Sequence, residues 1–165
     1  MPEKATLQRA RADKRAGKSG STQAGEFVRE EMDHIRHGKH GAKNAKQAIA
    51  IGLSKARRAG VKMKAPGKGQ SAATKKKATQ DTAASRRRRR PSRKRSRATE
   101  AALQKQPHAA ASKLALGRQA HAAARKRSAA DRSRAARQAA RTRKREAGPV
   151  RKRPVAHKRT TTKHK

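Results

Sequence analysis

No cysteine, tryptophan or tyrosine occurs in this chain, and Phe27 is its single phenylalanine. Without cysteine there is neither a disulfide nor a thiolate zinc centre, which fits a reducing compartment. The missing aromatics remove the stacking platform on which an RRM or an OB fold reads bases. No paired Cys and His spacing for a zinc finger exists either. Long apolar runs are also missing. The longest, Ala48-Ile49-Ala50-Ile51-Gly52-Leu53, is far short of a bilayer span. The start, Met1-Pro2-Glu3-Lys4, has no apolar stretch of the kind a secretory signal needs. Membrane is therefore not an expected partner. No paired carboxylates, Gly-rich phosphate loop or nucleophile with a neighbouring base stands out, and Lys68 in Gly67-Lys68-Gly69-Gln70 lacks P-loop spacing. The expectation is a non-enzyme without cofactor or metal.

Acidic residues are scarce too: 10 Asp and Glu face 49 Lys and Arg, a formal charge of +39 over 165 residues. An excess of that size implies a polyanionic partner, and nucleic acid is the commonest. The apolar fraction is 32 % and mostly alanine. Low hydrophobicity with high net charge is the signature of a chain that buries too little surface to offset its ordering entropy. A small folded module beside disorder is the expected outcome.

The two parts of the chain differ. Residues 1–70 hold 17 Lys and Arg against 6 Asp and Glu, whereas residues 71–165 hold 32 against 4. Most acids of the first part cluster between Glu26 and Asp33. There, Ala24, Phe27, Val28, Met32 and Ile35 recur at helical spacing and define one apolar face. Ser21 or Thr22 is placed to cap this helix and Gly38 to stop it. A second stripe runs through Ala45, Ala48, Ile49, Gly52, Leu53 and Ala56, with Asn44 and Gln47 as a capping box and Gly60 as a left-handed stop. The short connection Gly38–Lys43 makes the two helices antiparallel neighbours. Helices over residues 22–37 and 44–59 are predicted. Glu31 falls inside the first apolar face. It either reaches solvent at the rim or pairs with a cation of the second helix, Lys46 or Arg57.

The fold class read from these patterns is mostly α: a small, marginal helical hairpin of two or three short helices, then a long disordered or nascent-helical basic tail. Residues 1–20 form a basic N-terminal segment open to helix formation, in which Glu3 to Ala16 can dock on the hairpin, and 21–65 form the hairpin module. Residues 66–98 are a disordered basic linker with an arginine run, 99–147 an Ala/Arg-rich nascent helix, and 148–165 a disordered basic tail.

The tail chemistry is phosphate neutralisation, for which guanidinium forks are well shaped. The strongest candidates are Arg86, Arg87, Arg88, Arg89, Arg90, Arg93, Lys94, Arg95 and Arg97. Further along come Arg125, Lys126, Arg127, Arg132, Arg134, Arg137, Arg141, Arg143, Lys144 and Arg145, which surround a helix axis without leaving an apolar face. If the hairpin itself meets nucleic acid as a relative of helix-turn-helix, its second helix offers Lys46, Lys55, Arg57 and Arg58. Duplex DNA carries two charges per base pair, so the second part of the chain can neutralise on the order of 14 base pairs. Such contacts carry little sequence information. His34, His37 and His40 stand three apart beside Asp33. His34 and His37 are placed to share a face, whereas His40 lies past the Gly38 stop, so a surface cluster is expected in place of a metal site.

Over about residues 1–65, Ser21-Thr22-Gln23-Ala24-Gly25-Glu26-Phe27-Val28-Arg29-Glu30-Glu31, Gly38-Lys39-His40-Gly41-Ala42 and Lys46-Gln47-Ala48-Ile49-Ala50-Ile51-Gly52-Leu53-Ser54-Lys55-Ala56-Arg57-Arg58-Ala59-Gly60-Val61 resemble an uncharacterised family of small basic bacterial proteins, known as a domain of unknown function. That resemblance brings no activity with it. The family pattern has a Ser-Thr pair ahead of the second helix where this chain has Asn44-Ala45, and asparagine still caps. In composition alone the tail is similar to bacterial histone H1-like proteins, although arginine leads here where lysine, alanine and proline lead there. Together the resemblances imply a bacterial nucleoid-associated protein that binds DNA non-specifically and condenses it, with self-association or docking through the hairpin. The location is then the cytoplasm and nucleoid, or the nucleus if the source is eukaryotic, where Arg86–Arg90 would read as a localisation signal. Two other readings stay open: an RNA-binding or ribosome-associated protein, and a protein-interaction module with a localising basic tail.

Overall fold

The computed structural model describes residues 2–67, 69–87 and 92–146. Among these residues seven α-helices follow one another: α1 (Lys4–Arg15), α2 (Gly20–Arg36), α3 (Ala45–Arg58), α4 (Ala72–Arg86), α5 (Arg93–Gln104), α6 (Lys113–Arg125) and α7 (Ala129–Glu146), with a 3-10 turn at His108–Ala111 before α6. Helix accounts for 75 % of the described residues, and no strand occurs among them. Among the described residues, those up to Ala122 belong to one compact unit and those from Ala123 to a second.

The hairpin forms for the reasons its sequence gives. Ser19, and not Ser21 or Thr22, caps α2, its hydroxyl accepting from Thr22 N at 3.3 Å. Asn44 caps α3 by accepting from Gln47 N at 2.9 Å, while Gln47 Oε1 accepts from Lys43 N at 2.9 Å. Gly38 and Gly60, at φ 71° and 86°, close α2 and α3 in the left-handed conformation that glycine adopts without strain. The two helices meet closely because Gly52 carries no side chain: a Cβ there would lie 2.7 Å from Val28 Cα.

The expectation of a small hairpin followed by a disordered tail is corrected. Three further segments close around the hairpin. From α1, Ala10 and Leu7 pack with Ala24, Phe27 and Ala56. From the 3-10 turn, Ala110 and Ala111 join Met32, Ile35, Ala42 and Ala48, with Leu116 of α6 against them. Backbone hydrogen bonds fix that corner, Gly41 N donating to Leu103 O at 2.9 Å and Ala42 N to Pro107 O at 3.0 Å. Helix α4, inside the stretch expected to be linker, lays buried Ala78 and Asp81 against α3. Its physical basis is local as well as tertiary. Ser71 caps α4 by accepting from Thr74 N, and alanine and basic residues propagate a helix well once it is started.

In the second unit, α7 carries no apolar face. Ser128 starts it, accepting from Asp131 N at 3.1 Å and donating to Asp131 Oδ2 at 2.8 Å. This is a capping arrangement closed by a carboxylate at the positive helix end. Residues 148–165 lie outside the described residues.

Candidate nucleic-acid interface and the internal carboxylates

The first question for a chain of this charge is where its few carboxylates go. Eight of the ten turn inward or onto neighbouring cations, while Glu100 on α5 stays exposed. Glu26 pairs with Arg9, Asp13 with Lys18, Asp33 with Arg36 and Asp131 with Arg134. Asp81, almost wholly buried, accepts from Ser54 Oγ at 2.7 Å, from Arg58 Nε at 2.9 Å and from Lys77. Burial raises its pKa, but the hydrogen bonds from Lys77, Ser54 and Arg58 together hold it below the ordinary value. Glu3 accepts from Lys39 at 3.0 Å and lies 2.9 Å from His34 Nε2, and these two hydrogen bonds, His34 first, pull its carboxyl down to about 2. The Asp131 carboxyl is lowered by the Ser128 hydroxyl and then by Arg134.

The most enclosed acids are Glu30 and Glu31. Lys55 reaches between them from α3, 3.3 Å from Glu30 Oε1 and 2.7 Å from Glu31 Oε2. Glu30 Oε2 also accepts from the backbone N–H of Glu3 at 3.1 Å, tying the start of α1 to α2. Glu31 does pair with the second helix, but with Lys55 instead of Lys46 or Arg57, and it is fully buried instead of reaching the rim. Close as they are, the Lys55 and His40 contacts of Glu31 lack hydrogen-bond geometry, so both of its oxygens are buried without a hydrogen bond. The histidines regroup as well. His34 and His40 meet edge to face with ring centroids 6.0 Å apart, whereas His37 turns its Nδ1 to Asp33 O.

With these eight carboxylates engaged, the outward faces are mainly cationic. Arg86 and Arg87 at the end of α4 are exposed, as are Arg93, Lys94, Arg95 and Arg97 on α5, which buries none of its residues. Arg88, Arg89 and Arg90 lie outside the described residues. Arg125, Lys126, Arg127, Arg132, Arg134, Arg137, Arg141, Arg143, Lys144 and Arg145 are all exposed, with Arg134 held to Asp131. In the hairpin, Lys46 is exposed, Lys55 is engaged by Glu30 and Glu31, and Arg58 is engaged by Asp81. Arg57, Lys64 and Arg86 rim a shallow groove floored by Met63, Ala78 and Ala83 between α3 and α4. Sequence reasoning misses Lys64 as a member of this rim. Its neighbour Met63, an isolated apolar residue just past the Gly60 stop, is the available signal.

No family model, no curated protein and no solved structure matches this chain. The functional reading therefore rests on the geometry and on the quoted sequence motifs. Among the described residues no helix is long and apolar enough to cross a membrane.

Proposed function

We propose that the protein is a non-specific DNA-binding, nucleoid-associated protein of histone-like character, which neutralises and condenses DNA through cationic helices carried by a small helical module. One observation carries this reading: eight of the ten carboxylates are engaged by neighbouring cations, while the basic side chains of α5 and α7 are exposed to solvent. A helix dense in basic residues repels itself in isolation and is relieved by phosphates. Helix α7, with 18 residues, is about 27 Å long, and duplex DNA presents on the order of 16 phosphates along that length. The helix offers fewer positive charges than that, so it suits a side-by-side arrangement of several chains on one duplex. Binding of this kind is driven by counterion release and carries no base readout. Lys55 and Arg58 serve the module's own cohesion in this scheme, and Lys46, Arg57, Lys64 and Arg86 supply its outward charge.

The test is a competition titration of the full protein against equal-length duplex DNA and structured RNA across a salt series. Preferred duplex binding with a steep salt slope supports the reading, while preference for structured RNA replaces it with an RNA-associated role. Replacing Arg93, Lys94, Arg95 and Arg97 by glutamine should lower the logarithmic salt slope by roughly 3 to 4, at about 0.9 for each phosphate no longer neutralised. An unchanged slope removes α5 from the interface.

A further inference from the structure

We propose that Glu31, His34 and His40 form a divalent-metal site of the zinc class at the corner of the hairpin. The three residues place one donor atom each within 4.8 Å of the others. Tetrahedral zinc with ligands at about 2.0–2.1 Å sets its donors about 3.3–3.4 Å apart. His40 Nε2 and Glu31 Oε1 stand 3.3 Å apart, the edge of such a tetrahedron.

The orientation of His40 supports the same conclusion. Its Nδ1 lies 3.2 Å from Gly41 O, and a carbonyl only accepts, so Nδ1 carries the hydrogen. In the neutral ring Nε2 then presents a lone pair, and it faces a carboxylate oxygen that has no hydrogen bond. These two lone-pair atoms stand at the separation that two ligands of one cation would have. A ring Nδ1–H held by a backbone carbonyl is also the usual outer support of a metal-bound imidazole. Glu31 itself is 0 % exposed with both oxygens lacking a hydrogen bond, and its one lysine, Lys55, is shared with Glu30.

Local charge leaves room for that cation. Glu3, Glu30 and Glu31 gather here against Lys39 and Lys55, one positive charge short of balance. In a chain this basic, the cluster is a pocket of negative character. Two imidazoles and a carboxylate suit zinc and its borderline neighbours better than calcium or magnesium, which prefer oxygen-only shells. Glu3 Oε1, 2.9 Å from His34 Nε2, accepts from that ring and holds its orientation from outside the site. A metal so held would join the body of α2 to the loop after Gly38 and, through Glu3, to the start of α1. Its role is structural.

The test uses the full-length chain after chelator treatment. Cobalt(II) titration should give one equivalent of the intense visible absorption of a four-coordinate site, displaced by zinc. Competition against a chromogenic chelator then gives affinity. His34→Gln and His40→Gln should each weaken zinc binding more than about 100-fold, beyond the 10–100-fold typical of losing an outer-shell partner. His37→Gln, His108→Gln and His121→Gln should leave it unchanged. Circular dichroism of each variant separates loss of the ligand from loss of the fold, which matters most for Glu31→Gln. Absence of the cobalt band in the intact chain overturns the proposal. So does zinc binding that survives His34→Gln and His40→Gln together, since it would then belong to other histidines.

Discussion

Gly52→Ala measures how closely the two central helices approach. At an exposed site inside a helix, replacing glycine by alanine gains about 1 kcal/mol of stability from backbone propensity. At Gly52 the new methyl would stand 2.7 Å from Val28 Cα and 3.0 Å from Val28 N and Cγ2. Carbon atoms rest at about 3.5–4.0 Å, so α2 and α3 must part by nearly 1 Å. The obstacle is helix backbone, which does not swing aside as a side-chain tip would. Overpacking of this sort costs about 1–3 kcal/mol, and separating the helices also loosens Phe27 on Ala56 and Lys55 on Glu31. The crossing therefore offsets or outweighs propensity, for a net loss of up to about 2 kcal/mol, or a fall in Tm of up to roughly 10 °C. Gly25→Ala is the matched control: nothing lies within 4 Å of its Cβ position, so it should stabilise α2. Thermal unfolding followed by far-ultraviolet circular dichroism compares the two. If Gly52→Ala melts at or above Gly25→Ala, the close crossing is refuted.

Asp81→Asn should release α4 from α3 with a loss of about 1–2 kcal/mol, not the 3–5 of a fully buried pair, because Arg58 and Lys77 are 53 % and 55 % exposed and remain hydrated. The wild-type interaction has a pH signature of definite sign. Since the folded Asp81 pKa lies below 3.8, its contribution is fully present above that value and is lost as pH falls through the folded pKa. Amide exchange of α4 should accelerate in that acid range ahead of α2, and simultaneous acceleration would count against it. Gly41→Ala should detach the 3-10 turn, because the added methyl would strike the Gln106 carbonyl. Limited proteolysis would then cut between α5 and α6, and an unchanged digestion pattern would show that this corner is not docked.

The hairpin is legible in the sequence because its signals are local. The stripe from Ala24 to Ile35, the Asn44 cap and the glycines at 38 and 60 all act within a few residues of themselves. What escapes sequence reasoning depends on the meeting of distant segments. Helix α4 looks like linker by composition, since it is held through a single carboxylate and Ala78. Nothing near Asp81 in sequence reveals that Ser54 and Arg58 will meet it. His40 lies past a helix stop, which argues against its joining His34, yet the left-handed turn at Gly38 is what folds it back towards that ring. Lys55 reads as a phosphate ligand because a lysine engaged by carboxylates and one facing solvent have the same sequence signature. The inward position of Glu31, by contrast, is visible in the spacing, and its pairing with the second helix follows from the hairpin.

Apart from Phe27, Met32 and Ile35, every buried hydrophobic residue among those described is alanine. Unfolding such an interior uncovers little hydrocarbon to water, so the heat-capacity change falls below the roughly 12–15 cal/mol/K per residue usual for globular domains. A small heat-capacity change flattens the dependence of stability on temperature. The module therefore gains little from cooling and is correspondingly spared from cold denaturation. Its cohesion stays nearly constant over the range in which a cell lives, and the variable that governs it is ionic composition.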